Sequence, residues 1–378
     1  MRSGVRSLTE GAARGRAVSG FLNSGVTLVV FLAILVGLVV VHEFGHFLVA
    51  RLAGVRVHEF GIGFPPRAAR LGSDGETEYT LNWLPIGGFV RLEGEDGGSD
   101  DPRSFGRKSL LVRVVILLAG VAMNVLLAFV IFTVIAAGLE PTADAQVGSV
   151  AAGTPASAIG LRAGDVITAV DGRTFPYFDD QAPTGYLLAH AGDHVTLTVQ
   201  SAGGTTRHIP VALQDQAAVN AGRGALGITA RIVPGAIVQR SLPAAIGLGA
   251  DRTVEACGLI VGALGQLVTS IASNPGAAPP VSGPIGIAEA VGTVRTEAPP
   301  VVLLWLIALL SANLAVVNVL PFPPLDGGRI VVSVLQSATR NRISASLERA
   351  TYFVGFVLLF GFLVWVSYFD IVRGGAGS

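Results

Sequence analysis

The chain has 378 residues, of which 51% are apolar and only 14% charged, and its mean hydropathy is +0.62. That balance excludes an ordinary soluble enzyme and fits a membrane protein with one modest water-exposed part. Net formal charge is zero, with a single lysine, Lys108, among 26 basic residues. No extended phosphate-binding surface and no nucleic-acid partner is therefore expected. The one cysteine, Cys257, excludes an internal disulfide and a multi-thiolate metal site.

In chain order, a tail over 1–24 carries Arg2, Arg6, Arg14 and Arg16 ahead of an apolar run. It superficially resembles a secretory signal, but the run from 26 to 41 resumes at 47–50 and no small-residue cleavage site follows, so it reads as a retained span. Crossing a bilayer core takes about 20 mostly apolar helical residues, because lipid offers no partner for open backbone groups. Segments 25–50, 114–139, 301–319 and 352–369 meet that test. A further stretch, 257–272, is shorter and contains Gln266, Thr269 and Ser270, so it reads as an amphipathic or membrane-associated helix. The expected fold is a polytopic α-helical membrane protein with about four transmembrane helices and an inserted β-rich domain. The divisions are tail 1–24, first two spans and their loop 25–140, β-rich domain 141–235, linker 236–300, and last two spans 301–378.

Within the β-rich domain, 194–199 alternates like a half-buried strand, Gly203-Gly204 supplies a turn, and 207–213 can return beside it. The loop 51–113 holds nine Lys/Arg, which places it on the cytoplasmic side and the β-rich domain outside. Arg329, Arg340, Arg342 and Arg349 between the last two spans agree; the arginine-rich tail, which alternation puts outside, does not.

The chemistry is concentrated in two segments. His42-Glu43-Phe44-Gly45-His46 fits H-E-x-x-H, whose i, i+4 spacing stacks two imidazoles on one helical face, able to reach one ion. Glu43 falls beside a metal-activated water rather than on the metal, where it can act as general base. Three ionisable residues within five positions of a span each cost a few kcal/mol near a bilayer centre, so such groups are functional by default. The competing reading is that they merely end the helix at the interface.

A catalytic zinc takes three protein ligands and keeps a fourth position open. The longer metzincin pattern is absent, since Leu52 stands where its last histidine would be. His58, Glu59, Glu76 and Glu78 in the following loop are possible ligands, but Asp326 is the better candidate. It closes Asn318-Val319-Leu320-Pro321-Phe322-Pro323-Pro324-Leu325-Asp326-Gly327-Gly328, whose prolines must break the third span. Broken backbone at membrane depth is tolerated only where it lines a protein-enclosed or wet cavity. The alternative is a proline-capped turn with Asp326 facing solvent.

HEFGH, NVLPFPPLDGG and SGPIGIA at 282–288, with 153–172 similar to the helix, turn and strand of a bacterial PDZ domain, together resemble the site-2 protease family. The likeness is to its bacterial regulator-of-sigma-E-protease type. The resemblance implies zinc on His42, His46 and Asp326, with Glu43 as base. It implies that Asn318, and Asn313 before it, bind substrate backbone or the developing oxyanion. A polar amide in an apolar span is independently notable, although an interhelical hydrogen bond explains it equally well. Residues 61–65 and 79–92 resemble the family's membrane re-entrant β-hairpin, an edge on which an unwound substrate could add as a strand. Only one PDZ-like domain is found, where close relatives often have two. The resemblance further implies a bacterial inner-membrane location, with HEFGH near the cytoplasmic side and the PDZ-like domain outside. It implies a lipid bilayer and transmembrane protein substrates as partners, anti-sigma factors or remnant signal peptides among them. Two other classes compete with this reading: an ion-coupled transporter relaying protons through Glu43 and Asp326, and a catalytically idle scaffold.

Overall fold

Runs of apolar residues with no water to bond their backbone close every N–H and C=O within a helix. The computed structural model, which describes residues 3–95, 99–179, 182–274, 276–339 and 345–375, follows that rule. Its elements are α1 (Ser3–Leu52), β1 (Val57–Ser73), β2 (Glu78–Leu92), α2 (Leu110–Gly138), β3 (Pro141–Val150), α3 (Pro155–Ala158), β4 (Val166–Val170), α4 (Pro183–Ala189), β5 (His194–Gln200), β6 (Thr206–Ala212), α5 (Gln216–Asn220), β7 (Ile228–Ile237), α6 (Leu242–Ser273), α7 (Pro284–Glu297), α8 (Pro300–Val319), α9 (Asp326–Ala338) and α10 (Ala345–Gly375). Among the described residues, five helices are long and apolar enough to cross a membrane: Ser24–Leu52 of α1, α2, α6, α8 and Ser346–Val372 of α10. The fifth, α6, is twice the length of the 257–272 stretch. Asp251, Arg252 and Glu255 interrupt its hydropathy without interrupting its helix.

Two compact units are distinguishable. One, Thr133–Gly249, holds a five-stranded antiparallel sheet in the order β6-β5-β4-β3-β7. Its core is built from inward strand positions, among them Ala145, Ile167, Leu197 and Val199, with Val170 beyond a register shift in β4 and Phe175 and Leu187 against them. β5 and β6 pair from His194↔Ala212 to Gln200↔Thr206, so the period-2 pattern and the Gly203-Gly204 turn do form a hairpin.

The other unit comprises the remaining residues and holds α1, α8 and α10, most of α2 and α6, and β1 and β2. A simple hairpin is not what β1 and β2 make. Segment 57–62 pairs on one side with 88–92 (Phe60↔Val90) and on the other with 78–81 (Phe60↔Tyr79), while 67–73 pairs with 78–82. The result is a folded-over sheet of four segments in the order 88–92, 57–62, 78–82, 67–73. Its corners fall where Gly63, Pro65, Pro66, Pro85 and Gly87 interrupt regular strand, and Gly63 and Gly87 take positive φ of 76° and 83°. The root of this sheet packs Val57, Phe60 and Leu92 against Phe47 and Ala50 of α1 and Ile116 and Leu117 of α2. Arg51, at the end of α1, pairs with Asp74 in the turn between β1 and β2. The N–H of Thr77 and that guanidinium, with the N–H of Glu76, hold the Asp74 carboxyl well below the usual carboxylate range. At the far end Phe64, Leu81, Trp83 and Leu84 are exposed.

Candidate metal centre

His42 and His46 lie one turn apart on α1, both buried, with ring centroids 4.7 Å apart. Asp326 reaches them from the first residue of α9. α8 ends at Val319, the proline-rich stretch leaves helical form, and α9 begins at Asp326, as the prolines predict. A carboxylate in the first turn is favoured by the partial positive charge of a helix N-terminus. Gly327 permits the fold-back: a Cβ there would stand 2.1 Å from the Val319 carbonyl oxygen. One turn further along α9, Arg329 pairs with Glu95 and lies 5.8 Å over the Tyr352 ring, fixing α9 against the loop after β2 and against α10.

The three side chains form the metal-capable cluster found among the described residues. Nε2 of His42 lies 3.1 Å from Nε2 of His46 and 3.0 Å from Asp326 Oδ2, which is 3.3 Å from His46 Nε2. Ligands at about 2.0–2.1 Å in tetrahedral array stand roughly 3.3 Å apart, so the triangle has the size of a zinc site. Asp326 Oδ2 is buried and receives no well-directed hydrogen bond, although two ring nitrogens face it. Three lone-pair atoms converging in a buried place are what a divalent cation satisfies. Zinc therefore fits. The expected ligand set is brought together by the fold, and His58, Glu59, Glu76 and Glu78 are engaged elsewhere, in pairs with Glu93, Arg67, Arg103 and Arg67 respectively.

Glu43 is half-buried on the face of α1 next to β2. A Cβ added at Gly88 would lie 3.7 Å from Glu43 Cγ, so the outermost segment 88–92 passes over this carboxylate at its glycine. Asn318 donates its amide to the Leu314 carbonyl at 2.9 Å, one turn back on its own helix, and Asn313 is half-buried on α8. Neither belongs to the metal-capable cluster.

Four groups on α1 and α2 that sequence reasoning missed complete the centre. His46 Nδ1 lies 2.8 Å from the Ile116 carbonyl oxygen, and Asn124, fully buried, lies with its amide nitrogen 3.3 Å from His42 Nδ1. Gly120, between them on α2, faces both rings, and a Cβ there would stand 2.5 Å from His46 Nε2. Gly45 meets the same helix from the α1 side, 2.3 Å from Ala119 O by the same construction. Two glycines thus let α1 and α2 close to contact distance around the histidines.

The pattern of peptidase family M50 matches residues 30–362. The chain belongs to this site-2 protease family. "Putative zinc metalloprotease CPE1693" of Clostridium perfringens is 36% identical over 336 residues, covering 89% of this chain and 95% of its own. A second relative, "Metalloprotease MmpA" of Caulobacter vibrioides, is 31% identical over 400 residues, covering 94% and 96%. This M50 peptidase is accordingly a zinc metalloprotease, with apolar helices of membrane length and a β-rich domain.

Proposed function

We propose that this enzyme hydrolyses peptide bonds within or near transmembrane segments of single-span membrane proteins, in regulated intramembrane proteolysis. Anti-sigma factors and remnant signal peptides are the substrate class we favour. The observation that carries the reading is the buried triangle of His42 and His46, on a helix of membrane length, with Asp326 at the start of α9. His42 stands 18 residues into the Ser24–Leu52 span, roughly 27 Å along a helix rising about 1.5 Å per residue. That depth is near the far side of a hydrocarbon core about 30 Å thick. An apolar groove of about 470 Å³ between α1, α2 and α8, lined by Leu38, Val41, Leu127, Ile131 and Ile307, offers a path for a substrate helix.

His42, His46 and Asp326 would hold the zinc, which supplies Lewis acidity and an acidified water. Glu43 takes the proton of the attacking water and returns it to the leaving amine. Segment 88–92, beside Glu43, is the edge on which substrate backbone would add in extended form, exposing its peptide bond. The Asn318 amide would turn from Leu314 toward the substrate, with Asn313 a second polar contact on the same helix. The exposed Phe64, Trp83 and Leu84 suit the sheet's far end to the bilayer.

Four crossings are supported by where the chain ends meet. α7 meets Thr27 near the start of the α1 span through Gly292 and Arg295, and meets Asp370 near the end of α10. α8 therefore starts on the side where the α1 span starts, and the proline-broken stretch that follows it brings Asp326 to His42 and His46. This leaves α6 associated with the membrane without a net crossing. The location we favour is the bacterial inner membrane, HEFGH toward the cytoplasm, with the β-rich domain acting outside as a PDZ-like module that restricts access or recognises a cut end.

Glu43→Gln, purified in detergent beside the wild type and given a helical membrane substrate, tests the reading. Loss of about 10²-fold or more in cleavage with zinc content unchanged is expected; equal cleavage by the two would remove Glu43 from its role.

A further inference from the structure

A histidine that ligates zinc through Nε2 must keep that lone pair free, so its proton sits on Nδ1 and needs an acceptor. His46 meets this requirement with the Ile116 carbonyl, 2.8 Å from its Nδ1. Among the described residues no carbonyl bonds the Nδ1 of His42 in the same way. Its Nδ1 faces the side chain of Asn124, two turns after Ile116 on the same helix, at 3.3 Å. With the amide nitrogen toward the ring, the contact is either donor against donor or forces the His42 proton onto Nε2, which then cannot bind metal. The other amide atom, Asn124 Oδ1, is buried with no hydrogen-bond partner. A half-turn of the carboxamide exchanges the two atoms, which are nearly isosteric.

We propose that Asn124 is the positioning residue of His42: its side-chain oxygen accepts the Nδ1 proton, fixing the tautomer and ring plane that present Nε2 to zinc. The inference rests on the proposed ligation by His42, His46 and Asp326. Asn124 is suited to the task because it is held. Its own carbonyl accepts the Ser311 hydroxyl of α8 at 2.8 Å, and both residues are fully buried. One stretch of α2 thus orients both histidines, by a main-chain carbonyl at Ile116 and a side-chain carbonyl at Asn124. In this enzyme an oxygen is the needed atom, and a carboxylate would serve as well as an amide.

The test is zinc affinity in purified full-length protein, measured by competition with a chromophoric chelator, for wild type, Asn124→Leu and Asn124→Asp. Loss of an outer partner of a metal-bound histidine costs about 10–100-fold in affinity. That loss is expected for Asn124→Leu, while Asn124→Asp should stay within a few-fold of wild type and give an unaltered visible spectrum with cobalt. Wild-type affinity in Asn124→Leu, or a tenfold loss in Asn124→Asp, would overturn the proposal. Should the leucine variant fail to fold, the aspartate variant alone decides between acceptor and donor. His42→Ala separates the two levels: wild-type affinity there would remove the ligand set itself, not merely the role of Asn124.

Discussion

Gly120 sets how near α2 can come to the rings of His42 and His46, the proposed zinc ligands. A methyl group there would stand 2.5 Å from His46 Nε2 and 2.7 Å from His42 Cε1. Neither ring can yield easily, because Ile116 and Asn124 hold their far sides. Alanine in a helix interior is otherwise favoured over glycine by roughly 0.5–1 kcal/mol. Gly120→Ala is therefore expected to keep or raise helix content while losing at least about tenfold in zinc affinity, the scale of a displaced ligand partner. Circular dichroism and metal analysis on the same sample check the two halves of that statement. Wild-type zinc content would show that the helices move apart without cost. The contrast with His42, Glu43, His46 and Asp326 explains what a sequence reader sees. Ionisable groups inside an apolar run stand out because their desolvation must be repaid by function. A glycine or an asparagine in such a run has ordinary explanations, close helix packing or an interhelical hydrogen bond. Only the approach of α2 to α1 reveals what Gly120 and Asn124 touch.

At the scale of elements, the motif 282–288 finds its explanation in a cap supplied from far along the chain. Asp370 of α10, buried, accepts the N–H groups of Gly283 and Gly286 at 2.9 and 3.0 Å at the start of α7. Among the described residues no local Ser, Thr, Asp or Asn side chain caps this helix, so the N–H groups of Gly283 and Gly286 rely on that carboxylate. Asp370→Ala should destabilise the helical unit by about 1–3 kcal/mol, the cost of leaving buried donors unsatisfied. Asp370→Asn, which keeps an acceptor oxygen, should cost less; equal losses in thermal denaturation would mean that charge rather than acceptance matters. The β1–β2 sheet has a comparable tie at its turn, and there the dependence is on pH. Asp74 carries a lowered pKa in the folded chain, so its contribution is present above the unfolded carboxylate pKa and is lost as pH falls through the lower folded value. Protection factors in 67–82, taken relative to the intrinsic exchange rate at each pH, should accordingly fall on acidification in the wild type and show a weaker dependence in Asp74→Asn. A β-hairpin in this region is expected only from the family resemblance of 61–65 and 79–92, and the four-segment order is not legible at all. Pairing partners depend on how Gly63, the prolines and Gly87 bend the chain, and one period-2 pattern is compatible with several registers.

For the whole molecule, the proposed metal centre joins elements that the chain otherwise keeps far apart. His42 and His46 come from α1 and Asp326 from α9, some 280 residues later, and α2 supplies the partners of both rings. A ligand that binds only the folded arrangement stabilises it by RT ln(1 + [L]/Kd), about 4 kcal/mol at a thousandfold excess over Kd. Because the proposed ligands lie wholly in the helical unit, that stabilisation belongs to it and not to Thr133–Gly249, whose strands close on their own apolar core. Stripping zinc with a chelator should therefore lower the helical unit's thermal transition and raise hydrogen exchange around 40–50, 116–124 and 320–330. Exchange in β3 to β7 should remain as it was. Restoring zinc should reverse the change in the wild type but not in Asp326→Ala, since two imidazoles without the carboxylate leave the opening helix and the proline-broken one unlinked. A chelator effect spread evenly over both units would contradict this, because it would require the β-rich domain to draw its stability from an ion it does not touch.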